Sequence, residues 1–224
     1  MNNITINVEE VSKKFKEHVV LDQVSLKCES GKIYGIVGYN GSGKTVLFKC
    51  ICGFLRTDQG QISVNNQKIG ENMIQDAGII IEEPSFLQDE IGRKNLELLY
   101  MLNHKRDREL IQNIMTQMGL DPNSRKKVKE YSLGMRQRLA LAQAFMEDPS
   151  ILILDEPMNG LDKKGVLEVR EMLLKKKEEG KTILLASHNR EDIEILCDEV
   201  YEMENGKLAL LENSSGSGMG KPKI

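Results

Sequence analysis

The 224-residue chain has no tryptophan, and aromatic residues make up only 4% of it. A base-stacking nucleic-acid platform needs several exposed rings, so that class of binder is disfavoured. An excess of positive charge is also missing. Lys and Arg number 31 against 34 Asp and Glu, a net charge of −3 with a pI near 5.8, so bulk charge does not point to nucleic acid. No apolar run approaches the roughly 20 residues that span a bilayer. Met1 to Glu10 is polar and acidic and lacks the basic and apolar blocks of a secretory leader. The expectation is a cytoplasmic chain without direct membrane insertion. The four cysteines, Cys28, Cys50, Cys52 and Cys197, match neither a C-x-x-C pair nor a zinc ribbon, and are expected as free, buried or half-buried thiols. No internal repeat is found.

What is present is an ordinary globular composition, 40% hydrophobic and 29% charged, in a length that suits one large domain or a domain with a subdomain. Ile4 to Val11 and Val24 to Cys28 alternate apolar and polar residues and read as strands. Lys32 to Val37, Gly78 to Ile81, Ile151 to Leu154 and Thr182 to Ala186 are short apolar runs of the kind buried on both faces of a parallel sheet. Gln61 to Ile69 reads as an edge hairpin turning at Asn65-Asn66. Val200 to Glu204 and Lys207 to Leu211 flank Asn205-Gly206, a strong hairpin signal. Helices are expected from about Gly43 to Gly53, over Val166 to Glu179 and over Arg190 to Cys197.

From about residue 84 to 148 the texture is helical. Its three apolar stripes are Leu96, Leu99 and Met101-Leu102, then Leu110 to Met118 with Gly119 as a C-cap, then Leu139 to Met146. Strands alternating with helices imply an α/β sheet with this block inserted in it. The assignment is one domain over 1–212 and a Gly- and Ser-rich, frayed tail over 213–224.

Gly38-Tyr39-Asn40-Gly41-Ser42-Gly43-Lys44-Thr45 matches G-x-x-x-x-G-K-[ST] at every fixed position, between an expected strand and an expected helix. Glycines let backbone N–H groups turn inward around a phosphate chain, and the helix N-terminus adds a positive dipole end. Lys44 would reach the β- and γ-phosphates, and the Thr45 hydroxyl would ligate Mg²⁺. The phosphate-binding set therefore runs from Gly38 to Val46. Ile151 to Leu154 leads into Asp155-Glu156-Pro157, placing two carboxylates at the end of a buried strand, where ligands gather in open α/β sheets. Asp155 would hold Mg²⁺, and Glu156 would polarise an attacking water as general base.

With these motifs on the page, the chain resembles the nucleotide-binding domain of an ABC transporter from Ile4 to about Leu211. Tyr131-Ser132-Leu133-Gly134-Met135-Arg136-Gln137-Arg138 is similar to the family signature, usually Leu-Ser-Gly-Gly-Gln followed by a basic stretch. Ser132 and Gly134 match, while Tyr131, Leu133 and Met135 depart. Ser132 is also a good helix N-cap. The resemblance implies that this segment contacts ATP bound to the opposite subunit. It implies a P-loop NTPase core with a mixed sheet, an N-terminal antiparallel β subdomain and an inserted helical subdomain. Asn159-Gly160-Leu161-Asp162 resembles the loop that links the two sites of a dimer. His188 resembles the switch histidine at the γ-phosphate, whereas His18 and His104 read as surface residues. Phe15 resembles the adenine-stacking aromatic.

Where the family usually has Gln, this sequence has Glu82, followed by Glu83 and Pro84. If Glu82 takes that Gln's place at the metal, three carboxylates crowd one site. The Glu-Glu-Pro form and the Ser-Leu-Gly-Met signature resemble exporters of peptide antibiotics such as bacitracin and lantibiotics. The charge clusters Arg125 to Lys129 and Lys175 to Lys177 read as solvated helix faces.

The resemblance implies an ATPase, with ATP and Mg²⁺ as ligands and with Lys44, Glu156 and His188 as its catalytic residues. It implies a head-to-tail dimer on a separate permease at the cytoplasmic face of the membrane. The alternatives are a soluble ABC-type ATPase acting on nucleic acid or ribosomes, and a small-molecule kinase. The first usually carries coiled coils or fused ATP domains, and the second leaves Ser132 and His188 unexplained.

Overall fold

In a computed structural model, residues 3–70, 72–82 and 85–211 are described. The expected tail at 213–224, and Glu83 with Pro84, lie outside them. Two sheets form the frame. The first is antiparallel, in the order β2-β1-β4-β5. It is made by β1 (Ile4–Phe15), β2 (His18–Glu29), β4 (Gln59–Val64) and β5 (Gln67–Ile69). The second has the order β10-β9-β3-β8-β7-β6. Its members are β3 (Ile33–Val37), β6 (Ala77–Ile80), β7 (Ile151–Asp155), β8 (Thr182–Ala186), β9 (Glu199–Glu204) and β10 (Lys207–Leu211). All its pairings are parallel except the hairpin of β9 and β10.

The central strands β7 and β8 are buried along nearly their whole length, which is why they read as unbroken apolar runs and not as alternation. By contrast, β1 and β2 are each twelve residues long, well beyond the segments that alternate in sequence. Their pairing shifts register between Val8 and Val11 and again up to Lys14, and Glu10 takes φ 48°. Bulges insert extra residues and break the two-residue period, so the polar ends of this hairpin gave no strand signal. The hairpin turns at Asn65-Asn66 and Asn205-Gly206 both form, with positive φ at all four residues.

Helix α1 (Lys44–Ile51) follows β3 directly. Helices α2 (Gly92–Tyr100), α3 (Arg108–Gln117) and α4 (Leu133–Phe145) lie in the chain between β6 and β7, two strands that are neighbours in the sheet. Met101-Leu102 and Met118 fall beyond the helices their stripes suggested. Met101 and Met118 are C-caps, and Gly119 follows at φ 69°. A short 3₁₀ turn, Val128–Glu130, precedes α4. The α4 helix packs closely on β6. A Cβ added to Gly78 would stand 2.0 Å from the Ala144 carbonyl oxygen. Helices α5 (Lys163–Glu178) and α6 (Arg190–Leu196) complete the chain. Asp107, Ser132, Asp162 and Asn189 each cap a helix with a side-chain oxygen, satisfying N–H groups that the helix leaves open. The buried apolar residues form two clusters, one beneath α2–α4 and α5, the other between the antiparallel sheet and the parallel one.

Candidate active site

Four adjacent parallel strands, β3, β8, β7 and β6, end on one side of the sheet. Because they share a direction, the sheet brings together groups that are distant in sequence. The loop Gly38–Gly43 follows β3, Ser187-His188 follows β8, Asp155-Glu156 ends β7, and Glu82 lies just past β6.

The loop reverses at once. A Cβ on Gly38 (φ 150°) would stand 2.3 Å from the Met203 carbonyl oxygen, and one on Gly43 (φ 114°) 2.8 Å from that of Val20. Side chains are excluded at both places, and Asn40, Gly41, Gly43 and the start of α1 border the space above, a loop-and-helix-end arrangement suited to an anion. Lys44 is buried, and its Nζ donates to the carbonyl oxygens of Gly38 at 2.6 Å and Tyr39 at 3.1 Å. The Ser42 hydroxyl is buried with no hydrogen-bond partner among the described residues. An unpaired hydroxyl, an ammonium held only by neutral carbonyls and a helix N-terminus together fit the oxygens of a phosphate chain.

Thr45 Oγ1 donates to Asp155 Oδ2 at 2.7 Å. A hydroxyl and one carboxylate are hard oxygen donors, the kind of partial set that suits Mg²⁺ arriving with phosphate oxygens and waters. Among the described residues no group of three or more His, Cys, Asp or Glu is arranged to hold a metal ion. The Glu82 carboxylate meets Lys49 Nζ, from the last turn of α1, at 2.6 Å. It borders the same cleft, with an opposite charge beside it that the sequence alone does not pair with it.

Glu156 has φ 52°, a left-handed conformation that costs a non-glycine residue about 1–3 kcal/mol. Its N–H is anchored on the Ala186 carbonyl oxygen at 2.9 Å. Its Oε2 lies 2.9 Å from His188 Nδ1, while the His188 ring is 69% exposed. A carboxylate on a strained turn, paired with an imidazole and facing an open cleft, has the geometry of an acid–base site.

Lys44, Thr45, Glu82, Asp155 and Glu156 border an open cleft of about 700 Å³, ordinary for a small-molecule site, whereas Gly38, Tyr39, Ser42 and His188 are not among its bordering residues. Val20, Leu133 and Gln137 border it too, and the sequence reading did not place them there. Val20 sits in a hairpin strand and carries no chemical signal. Gln137 lies one turn into α4, where its Nε2 donates to the Pro157 carbonyl oxygen at 2.7 Å. Phe15 and Ser132 are not among the bordering residues. Phe15 ends β1 half exposed, with Lys13 Nζ over its ring at 5.7 Å. Ser132 Oγ accepts from the Met135 N–H at 3.2 Å. Gly134 packs so closely on the Asn159–Asp162 loop that an added Cβ would stand 2.8 Å from the Gly160 oxygen.

Outside the cleft, His18 is exposed, and His104 stacks on Tyr100 and pairs with Glu147 at 3.2 Å. All four cysteines are free. Burial pushes the thiol of Cys50 up to about 11 and those of Cys52 and Cys197 up to about 12.

A family model described as ABC transporter matches residues 21–159. The uncharacterised ABC transporter ATP-binding protein YybJ of Bacillus subtilis is 39% identical over 209 residues, covering 92% of this chain and 96% of that protein. The bacitracin transport ATP-binding protein BcrA of Enterococcus faecalis is 36% identical over 207 residues, covering 91% of this chain and 67% of that protein. Among solved structures, the dimeric structure of MJ0796, a bacterial ABC transporter cassette, superimposes with a TM-score of 0.83. The two share 20% identity over 91% of this chain and 96% of the other, a likeness of fold.

Proposed function

The chain belongs to the family of ABC transporter ATP-binding proteins, and on that premise we propose that its cleft is half of a composite ATP site, completed head to tail by the Ser132 segment of a second copy. As a member it is the ATP-binding and ATP-hydrolysing subunit of a transporter, uses ATP with Mg²⁺, works with transmembrane permease subunits and forms dimers. The observation that carries the head-to-tail reading is the start of α4. Capped by Ser132, it is an anion-favouring helix end whose Ser132 and Gly134 do not border the cleft of their own chain, although Leu133 and Gln137 beside them do.

In this reading the loop N–H groups and Lys44 bind the β- and γ-phosphates, with the Ser42 hydroxyl supplying a further donor. Phe15 stacks on the adenine. Thr45 and Asp155 hold Mg²⁺, with Glu82 within the same cleft. Held by those residues, Mg²⁺ would supply charge stabilisation at the phosphate oxygens. Glu156 takes the proton of the attacking water, and His188 orients it while reaching the γ-phosphate. From the partner, Ser132 and Gly134 close over the nucleotide.

The permease contacts the helices α2–α4 and the Glu82–Ile91 loop, at the cytoplasmic face of the membrane. Asn95 stiffens residues 87–91 of that loop. Its buried side chain accepts from the Leu87 N–H at 2.7 Å and donates to the carbonyl oxygens of Leu87 and Ile91 at 3.2 Å, leaving Leu87 exposed. The cargo is a peptide antibiotic or a compound of that kind, the class that BcrA carries in its name.

Complementation tests the composite site. Lys44→Ala chains and Ser132→Arg chains should each be inactive alone. Mixed, they should recover ATP turnover, because each heterodimer keeps one site with an intact loop and an intact Ser132. A verified heterodimer without activity would count against the arrangement.

A further inference from the structure

Among the buried polar residues that have no part in the chemistry above are Arg170 in α5, Asp192 in α6 and Ser187 in the turn after β8, each 5% exposed or less. Burying an ion pair costs desolvation that its attraction often only offsets, so stability alone is a weak reason for one. The bonds themselves suggest another. Arg170 Nε and Nη2 both donate to Asp192 Oδ1, at 2.9 and 2.5 Å. Arg170 Nη2 also reaches Glu191 Oε2 at 3.0 Å. The other oxygen of Asp192 accepts from the Ser187 hydroxyl at 3.2 Å, and that hydroxyl accepts from the Asn189 N–H at 3.1 Å. The chain ends on the two residues that flank His188. The His188 side chain is exposed, so little packing restrains it, and the backbone turn beneath it limits where its ring can lie.

We propose that Arg170 and Asp192 are positioning residues for His188: through the Ser187 hydroxyl they set the turn that holds the imidazole Nδ1 on Glu156. A guanidinium that bonds through two nitrogens defines an orientation, which a lysine ammonium would not. The Arg170–Asp192 pair joins two separate helices, α5 and α6, so the turn after β8 is referenced to the body of the protein and not only to its own strand. The inference rests on the catalytic reading of His188.

Single and double variants of the full chain decide it, with kcat and KM for ATP measured for each. Ser187→Ala removes only a hydroxyl and leaves the Arg170–Asp192 pair in place. Asp192→Asn removes the charge and keeps the shape. Both should lower kcat by about 10- to 100-fold, the scale of a misplaced catalytic group, with KM for ATP unchanged. Ser187→Thr, which keeps the hydroxyl, should retain kcat. In a His188→Ala background neither Ser187→Ala nor Asp192→Asn should lower kcat further, since both act through the ring that is gone. Losses that multiply in that background would mean a general packing role and overturn the proposal, while His188 kept its own. Unchanged kcat in Ser187→Ala would overturn it too, and this variant decides alone if Asp192→Asn fails to fold. Wild-type kcat in His188→Ala would instead remove the catalytic reading of His188 itself, and the proposal with it.

Discussion

The Thr45 hydroxyl bonds to the Asp155 carboxylate at 2.7 Å across 110 residues of sequence, tying the phosphate loop to the acidic end of β7. A bond with one charged partner contributes about 1.5–3 kcal/mol. Thr45→Val deletes it with little change of shape and takes a hard oxygen from the Mg²⁺ position. The variant should need more Mg²⁺ for half-maximal ATPase rate, and its urea midpoint should fall modestly. An unchanged Mg²⁺ dependence would argue against Thr45 as a ligand.

Glu156 and His188 form the other decisive pair, at 2.9 Å. Glu156→Gln removes the base, keeps the volume and lessens repulsion toward ATP. The rate of hydrolysis should drop by about 10²–10⁴-fold, the usual contribution of a general base. ATP should then trap the closed form, visible as a dimer in size-exclusion chromatography. A variant that stays monomeric with ATP and still hydrolyses it would refute the assignment.

For Glu82, the ion pair with Lys49 sharpens the expectation. Both groups are partly exposed, and such pairs contribute at most about 1 kcal/mol, so Glu82→Gln should leave the melting temperature nearly unchanged. If Glu82 leaves Lys49 for the metal during turnover, the variant should bind ATP as before and show a weaker apparent Mg²⁺ affinity. Superimposable rate curves against Mg²⁺ concentration would place Glu82 outside the metal site.

The thiols give a test that is independent of nucleotide. Burial raises Cys50 from the ordinary 9.0 to about 11, so at pH 8 about one molecule in 10³ carries its thiolate. A disulfide reagent should modify the folded chain very slowly and all four cysteines once it is unfolded. The folded values lie above the unfolded one. The linked stability is therefore complete below about pH 9 and lost as pH rises through about 11 to 12. Rapid labelling of Cys50 or Cys52 in native protein would contradict their burial.

Much of the architecture was legible because its signals are local. Thr182–Ala186 and Lys207–Leu211 are strands at the bounds their composition suggests, since a short apolar run or an Asn-Gly turn carries its own conformational preference. The cap at Ser132 behaves likewise, whereas α5 begins at Lys163 behind an Asp162 cap, three residues before the helix that the apolar pattern suggests. The long β1–β2 hairpin was only partly legible, because bulges shift its register and its ends are polar. Lys49 and Val20 gave no signal, since neither residue type announces a partner.

By itself, then, the amino-acid sequence determined the phosphate loop, the acidic strand end, the signature helix cap and the buried strands. Each is specified by a few consecutive residues whose backbone preferences and chemistry act over one or two turns of chain. Only the tertiary structure decided which of them meet. The order β3-β8-β7-β6 is not the order of the chain, and it alone sets Thr45 on Asp155, His188 on Glu156 and Glu82 on Lys49. Strand order follows from burying both faces of one sheet at once, a global packing condition that no local segment encodes.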